Sequence, residues 1–297
     1  MKNKSKFKIC FIGLGVMGTR ISKNIAQNDF NITLYDINPL IRKELGEQGY
    51  HVPETSADAA KDADVIITIL PTSKIVNDAI FDLDETGKSI IESVNKNCLF
   101  IDMTTGSLPD LFVLHKKLSD HGHRLIDAPV GRSPREAEIG KSLVMAGGTI
   151  TDIAQAQPIF DAFADSTIHV GTIGDGLRLK LVNNYMAMIN HVLTGEVLAF
   201  AKSTGLDRNV VVDVLSSTSA GKGQLLTNFP KKVLAGDISP DFSIKMGIKD
   251  LDMALELASN SNFDPKFGQL SHSIFSHAKE AGMGEQDCTA ILNYFDR

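Results

Sequence analysis

The sequence predicts an α/β domain with a doubly wound, mostly parallel sheet, followed by an all-α domain. Three observations predict it. Short apolar runs alternate with helical patterns through the first half of the 297 residues, the order that builds a parallel sheet covered on both faces. The first of these runs ends in a glycine-rich turn that opens a helical pattern. Gly171, Gly174 and Gly176 then punctuate the chain, and beyond them the strand signal disappears. The boundary is placed near residue 171, giving domains over 1–171 and 172–297, and the chain is long enough for each to bury a core.

Strands are expected at 8–12, 32–36, 65–70, 99–102, 125–128, 143–146 and 167–170. Met17, Ile21 and Ile25 recur at helical spacing after the first of them. A long helical pattern from about 177 to 205 puts Leu193, Val197 and Phe200 on one face. A second helix is expected to start at Ser239-Pro240, a capping serine followed by a proline in the first helical position. Ile244, Ile248, Leu251, Leu255 and Ala258 then mark its apolar face.

The net charge of −6 lacks the basic excess of a nucleic-acid binder, so no nucleic-acid partner is expected. Cys10, Cys98 and Cys288 stand too far apart in sequence for a metal-ligand set, and their odd, unclustered count suits a reducing compartment, so a cytoplasmic location and no metal are expected. Lys2, Lys4, Lys6 and Lys8 before an apolar run superficially resemble a signal peptide. The run is short, Arg20 follows it and no cleavage pattern is evident, so it reads as a buried first strand. No run approaches the ~18 apolar residues of a membrane span, and no membrane partner is expected.

Gly13-Leu14-Gly15-Val16-Met17-Gly18 is a GxGxxG placed between a strand and a helix, as a dinucleotide-binding turn requires. Gly13 permits the tight turn, Gly15 admits the pyrophosphate and Gly18 lets helix and strand pack closely. The phosphates would lie at the positive end of the helix dipole. Asp36 follows Gly18 by 18 residues, at the end of the second strand. An acid there accepts from the ribose 2′-OH of NAD and repels the 2′-phosphate of NADP. Ile37-Asn38-Pro39 offers no arginine for such a phosphate, so NAD(H) is the expected cofactor of a Rossmann domain. Leu70-Pro71 and the stretch 103–106 end two further strands, where ligands bind in open α/β sheets. Thr105 is read either as a hydrogen-bonding partner of cofactor or substrate or as the cap of a helix before Leu108.

The opening FIGLGVMG resembles the signature of the β-hydroxyacid dehydrogenases, the family of 3-hydroxyisobutyrate dehydrogenase. The resemblance continues through ITILP at 67–71, DMTTG at 102–106, DAPVGR at 127–132, GLRLKLVNN at 176–184 and KDL at 249–251, and so covers essentially the whole chain. It implies Lys180 as the catalytic proton donor with Asn184 assisting, and Lys249 near cofactor and active site. Lys180, Asn183 and Asn184, at i, i+3 and i+4, share one helix face, which is compatible with a polar cleft and equally with a solvated surface. The resemblance also implies that the second domain serves substrate binding and assembly into a homodimer or homotetramer.

The family commonly reads D-x-P-V-S-G-G where this chain has Asp127-Ala128-Pro129-Val130-Gly131-Arg132-Ser133. An arginine thus replaces a glycine at the expected anion site, bringing fixed N–H donors suited to a multi-oxygen head group. Gly131, Arg132, Ser133 and Asn183 are candidates to hold it. The DAPVGR variant resembles the sulfolactaldehyde reductase branch, as do SAGKGQ at 219–224, the run at 232–242 and EQDCTAIL at 285–292. That resemblance implies reduction of a small anionic aldehyde, 3-sulfolactaldehyde, with NADH to 2,3-dihydroxypropane-1-sulfonate, a step of sulfoquinovose degradation. A carboxylate semialdehyde such as succinic semialdehyde is the alternative, with Arg132 then a surface arginine. Lys222, between Gly221 and Gly223, reads as part of a mobile loop over the site or as a plain interhelix turn. A non-catalytic NAD-binding sensor is the rival of another class, and Lys180 argues against it.

Overall fold

A computed structural model describes residues 7–297, so Lys2, Lys4 and Lys6 lie outside the described residues. The chain forms two compact units, the first ending at Tyr185 and the second running Met186–Arg297. By contacts the division falls inside a long helix whose first turn is tied to the sheet.

In the first unit the elements run β1 (Lys8–Ile12), α1 (Val16–Gln27), β2 (Asn31–Tyr35), α2 (Pro39–Glu47), α3 (Ser56–Ala60), β3 (Val65–Thr68), α4 (Ser73–Phe81), α5 (Ile90–Ser93), β4 (Leu99–Asp102), α6 (Leu108–Asp120), β5 (Arg124–Asp127), β6 (Val130–Gly131), α7 (Pro134–Glu138), β7 (Ser142–Gly147), α8 (Ile150–Phe160) and β8 (Ala164–Gly171). The sheet order is β2-β1-β3-β4-β5-β7-β6, with β8 on β7. Strands β1 to β5 pair in parallel, while β7 runs antiparallel to β5 and β6. Strands β1, β3, β4 and β5 are largely buried on both faces, as continuous apolar runs require, while β8 is not. Ile9, Phe11, Val65, Ile67, Leu99 and Ile101 pack on one side with Ile21 and Ile25 of α1. Cys10, Ile12, Ile66 and Phe100 pack on the other with Val76 of α4 and Leu111 and Leu114 of α6. The two-residue β6, which contains Gly131, is too short to leave a period in the sequence.

Helix α9 (Asp175–Ser203) spans the division between the units. The second unit continues with α10 (Arg208–Ser217), α11 (Ser219–Lys222), α12 (Ile244–Asn260), α13 (Lys266–Ala278) and α14 (Ile291–Phe295). Glu196 of α9 accepts the N–H groups of Phe267 and Gly268 and so caps α13, whose own N-cap, Pro265, has no side-chain acceptor. Phe200 stacks on Phe263 with centroids 5.6 Å apart. The expected helix start at Ser239-Pro240 is corrected to Ile244, where Ser243 caps by accepting from Met246 N. The N–H and hydroxyl of Ser239 instead donate to Asp237, a local turn that competes with helix initiation. No helix of the described residues is long and apolar enough to cross a membrane.

Candidate cofactor and active site

The glycine turn lies where β1 hands over to α1. Gly13 adopts φ +98°, and its N–H donates to Tyr35 O at 3.0 Å. A Cβ there would strike the Ile69 carbonyl, so only glycine fits. A Cβ on Gly15 would meet nothing within 4 Å, which leaves open space beside the first turn of α1. That turn has no side-chain cap and no acidic residue. Uncapped N–H groups and the positive end of the dipole suit an anion. Gly18, Leu14, Val16 and Met17 complete the turn, and a Cβ on Gly18 would collide with the Gly13 carbonyl.

Asp36 closes this turn. Its Oδ2 accepts Leu14 N at 2.7 Å and its Oδ1 accepts Asn38 N at 2.8 Å. Each oxygen keeps a lone pair for a ribose hydroxyl. A cavity of about 550 Å³ opens beside it, lined by Ile12, Gly13, Tyr35, Asp36, Leu70 and Pro71 among others. Its apolar walls and few polar groups fit the adenosine half of a dinucleotide. Leu70 is fixed by its N–H, which donates to Thr104 Oγ1 at 3.0 Å, and the Thr104 N–H in turn donates to the buried Asp102. Thr105 stands exposed beyond β4, and Ser107, not Thr105, caps α6.

Sequence reasoning missed Arg42. It lies in α2, six residues beyond Asp36, and the helix folds its guanidinium back over the end of β2. Nη1 donates to the carbonyls of Asp36 and Ile37 at 2.8 and 3.1 Å, and Nη2 pairs with Glu54 at 3.3 Å. The arginine is thus present at the ribose end but engaged by backbone and by an acid.

Lys180 is brought to the 130–133 loop. Its Nζ donates to Val130 O at 2.7 Å, and burial pushes its pKa below the usual lysine value. Asn183 donates through Nδ2 to Asn184 Oδ1 at 3.2 Å one turn further along the same helix. Gly131 is buried within β6, while Arg132 takes φ +72°, the left-handed region where glycine is at home. Its guanidinium is not free as expected: Nη1 donates to Lys141 O at 2.7 Å and pairs with Asp165 at 2.5 Å. Ser133 is engaged locally as well. Its N–H donates to Glu136 and its hydroxyl accepts Glu136 N, a capping box that starts α7. Lys222 ends α11 and Lys249 pairs with Asp250 on α12 at 3.1 Å, both in the second unit.

The NAD-binding domain of 6-phosphogluconate dehydrogenase matches residues 8–171, and the NAD-binding region of NADP-dependent 3-hydroxyisobutyrate dehydrogenase matches 174–295. The chain belongs to the 3-hydroxyisobutyrate dehydrogenase-like family. Within that family it is 37% identical to 3-sulfolactaldehyde reductase of Escherichia coli (strain K12), over 96% of this chain and 94% of that one. It is 31% identical to the mitochondrial 3-hydroxyisobutyrate dehydrogenase of Drosophila melanogaster, over 96% of this chain and 88% of that one. A solved 3-hydroxyisobutyrate dehydrogenase of Mycobacterium tuberculosis with L-serine matches with a TM-score of 0.66 at 25% identity, covering 98% and 99% of the two chains. An imine reductase of Myxococcus stipitatus in complex with NADP+ shares the fold, with a TM-score of 0.85 at 18% identity over 97% and 99%. This member of the 3-hydroxyisobutyrate dehydrogenase-like family is therefore an NAD-dependent oxidoreductase acting on CH–OH groups, with NAD(H) as cofactor.

Proposed function

We propose that this enzyme reduces 3-sulfolactaldehyde to 2,3-dihydroxypropane-1-sulfonate with NADH, using Lys180 as the proton donor. The observation that carries the substrate is Arg132 at the backbone position of a family glycine, in a chain 37% identical to a 3-sulfolactaldehyde reductase. When bound at the glycine turn, NADH would supply the hydride that the carbonyl carbon takes up. As the carbonyl oxygen gains negative charge, the Lys180 ammonium stabilises it and gives it a proton. Nζ carries three protons, and one is held by Val130 O, so two remain for substrate. Asn184, one turn beyond Lys180, orients the carbonyl, and Asn183 with the 130–133 backbone meets the anion. With one guanidinium nitrogen held by Lys141 O and Asp165, Arg132 faces a sulfonate with Nη2 and Nε.

Thr105, Leu70 and Pro71, at the carboxyl ends of the strands beside the glycine turn, complete the cofactor site. Exposed apolar side chains of the second unit, among them Val210, Leu226 and Leu270, support assembly into a homodimer or homotetramer. The place of action is the cytoplasm, in the breakdown of a sulfosugar such as sulfoquinovose.

The second reading is a carboxylate semialdehyde. The ion pair of Arg132 with Asp165 favours it, since a paired arginine reads an anion less strongly. NADH oxidation with 3-sulfolactaldehyde, succinic semialdehyde and methylmalonate semialdehyde decides between them. A kcat/KM at least about tenfold higher on the sulfonate, about 1.4 kcal/mol in transition-state binding, is the expected result. Preference for a carboxylate keeps the cofactor site and Lys180 and removes the sulfonate.

A further inference from the structure

We propose that Asp127 is a positioning residue, which pins the start of α9 to the sheet and thereby sets the Lys180 ammonium against the 130–133 loop. Resting on the reading of Lys180 as proton donor, it is built on a closed ring of contacts. Asp127 ends β5 and is 1% exposed. Its Oδ1 accepts Gly174 N and its Oδ2 accepts Leu177 N, both at 2.7 Å. One carboxylate thus serves two donors at the N-terminus of a helix to which it does not belong. Lys180 lies one turn beyond Leu177, and its Nζ returns to Val130 O, three residues from Asp127 along the chain.

The surroundings are cleared for this contact. A Cβ on Gly147 would stand 2.5 Å from Asp127 Oδ1, and one on Gly176 would stand 2.9 Å from Oδ2. The acid within α9 itself does not substitute, since Asp175 accepts from Thr172 and pairs with Arg178.

The ring answers to protonation. From β4, Asp102 faces Asp127 in strand register. The β7 neighbour, Gly147, carries no charge, and α9 presents backbone N–H groups, with Asp175 and Arg178 engaged with each other. Burial, partly offset by the two N–H donors and reinforced by Asp102, pushes the Asp127 pKa up to about 6. A neutral carboxyl carries its proton on one oxygen and releases one of the two α9 donors. The ring is therefore intact above about pH 6 and opens as pH falls through it.

The test follows the amide 15N shifts of Gly174 and Leu177 in the full chain between pH 5 and 8, beside steady-state reduction of the aldehyde, for the parent and Asp127→Asn. In the parent the two amides titrate together near pH 6, and kcat falls on the acid side with the same midpoint. In Asp127→Asn the amides do not titrate, the acid limb is gone and kcat is lower by up to about 100-fold, with the Kd for NADH unchanged. Parent amides that ignore pH overturn the proposal without any variant having to fold. A variant that keeps both kcat and the acid limb also overturns it. Titrating amides in a protein that reduces no aldehyde uphold the pinning and remove the reductase reading instead.

Discussion

The Lys180 ammonium donates to the Val130 carbonyl at 2.7 Å, joining two motifs that lie 50 residues apart. The bond places a partly desolvated cation at the mouth of the 130–133 loop. Lys180→Ala should lower kcat for aldehyde reduction by about 10²–10⁴, with the NADH Kd from fluorescence titration unchanged. With Lys180 as the proton donor, the protonated lysine is the active form in the parent, and kcat/KM should fall as pH rises through its pKa. Burial sets that basic limb below the ordinary lysine value of about 10.4. A variant with unchanged kcat would remove Lys180 from the chemistry.

The turn glycines separate folding from binding. Gly13→Ala forces a Cβ into the Ile69 carbonyl at φ +98° and should destabilise the protein by at least about 1–3 kcal/mol. Gly15→Ala meets nothing within 4 Å and should unfold at the parent's temperature, yet lose the thermal shift that NADH confers. Equal effects of both changes on the apo melting temperature would contradict this division.

Asp36→Asn should lower the ratio of kcat/KM for NADH over NADPH by about tenfold or more, about 1.4 kcal/mol. The amide side chain still reaches Leu14 N, so the turn survives, while the repulsion of a 2′-phosphate disappears and Arg42 stands nearby. An unchanged ratio would mean that Asp36 serves the turn alone.

At Arg132 two small terms oppose each other. The left-handed backbone costs a non-glycine residue about 1–2 kcal/mol, and the half-exposed Arg132–Asp165 pair contributes about 0–1 kcal/mol. Arg132→Gly should therefore leave the denaturation midpoint equal or slightly raised. The same change should raise KM for the sulfonate about tenfold or more and leave succinic semialdehyde nearly unaffected. A parallel loss on both substrates would assign Arg132 to the scaffold.

Asp127 also makes stability depend on pH. Its folded pKa of about 6 exceeds the ordinary carboxylate value, so the native state holds the proton more tightly in that window. Stability contributed by this group is full below about pH 4 and is lost as pH rises towards 6, by about 3 kcal/mol over two units. Urea unfolding of parent and Asp127→Asn at pH 4.5 and pH 7 should show the difference between them changing by that order. A constant difference would mean the carboxyl keeps its ordinary pKa.

Most of the first unit was legible because its strands are buried on both faces and read as unbroken apolar runs between turn glycines. The glycine turn and Asp36 were legible because backbone shape and charge complementarity leave fixed residue types at fixed spacings. Arg42 was not, since its guanidinium is returned to the site by the course of α2 rather than by proximity in sequence. Ser239-Pro240 imitated a helix start, and only the acceptor Asp237 two residues earlier discloses the turn. The antiparallel direction of β7 left no trace, because an apolar run marks a strand at 143–146 but not which way it runs. The pinning of α9 by Asp127 joins residues 47 and 50 positions apart, and no local pattern encodes such a bond.

The left-handed turn at Arg132, φ +72°, is a backbone shape that glycine adopts without strain. Around it, the strand behind and the capped helix ahead are held by contacts that do not involve that side chain. Were Arg132 the head-group reader, selectivity would rest on a side chain that β6 and α7 do not need, exchangeable like a tool bit in a fixed chuck. A library varied at position 132 alone would sample new anions without having to solve the folding problem again.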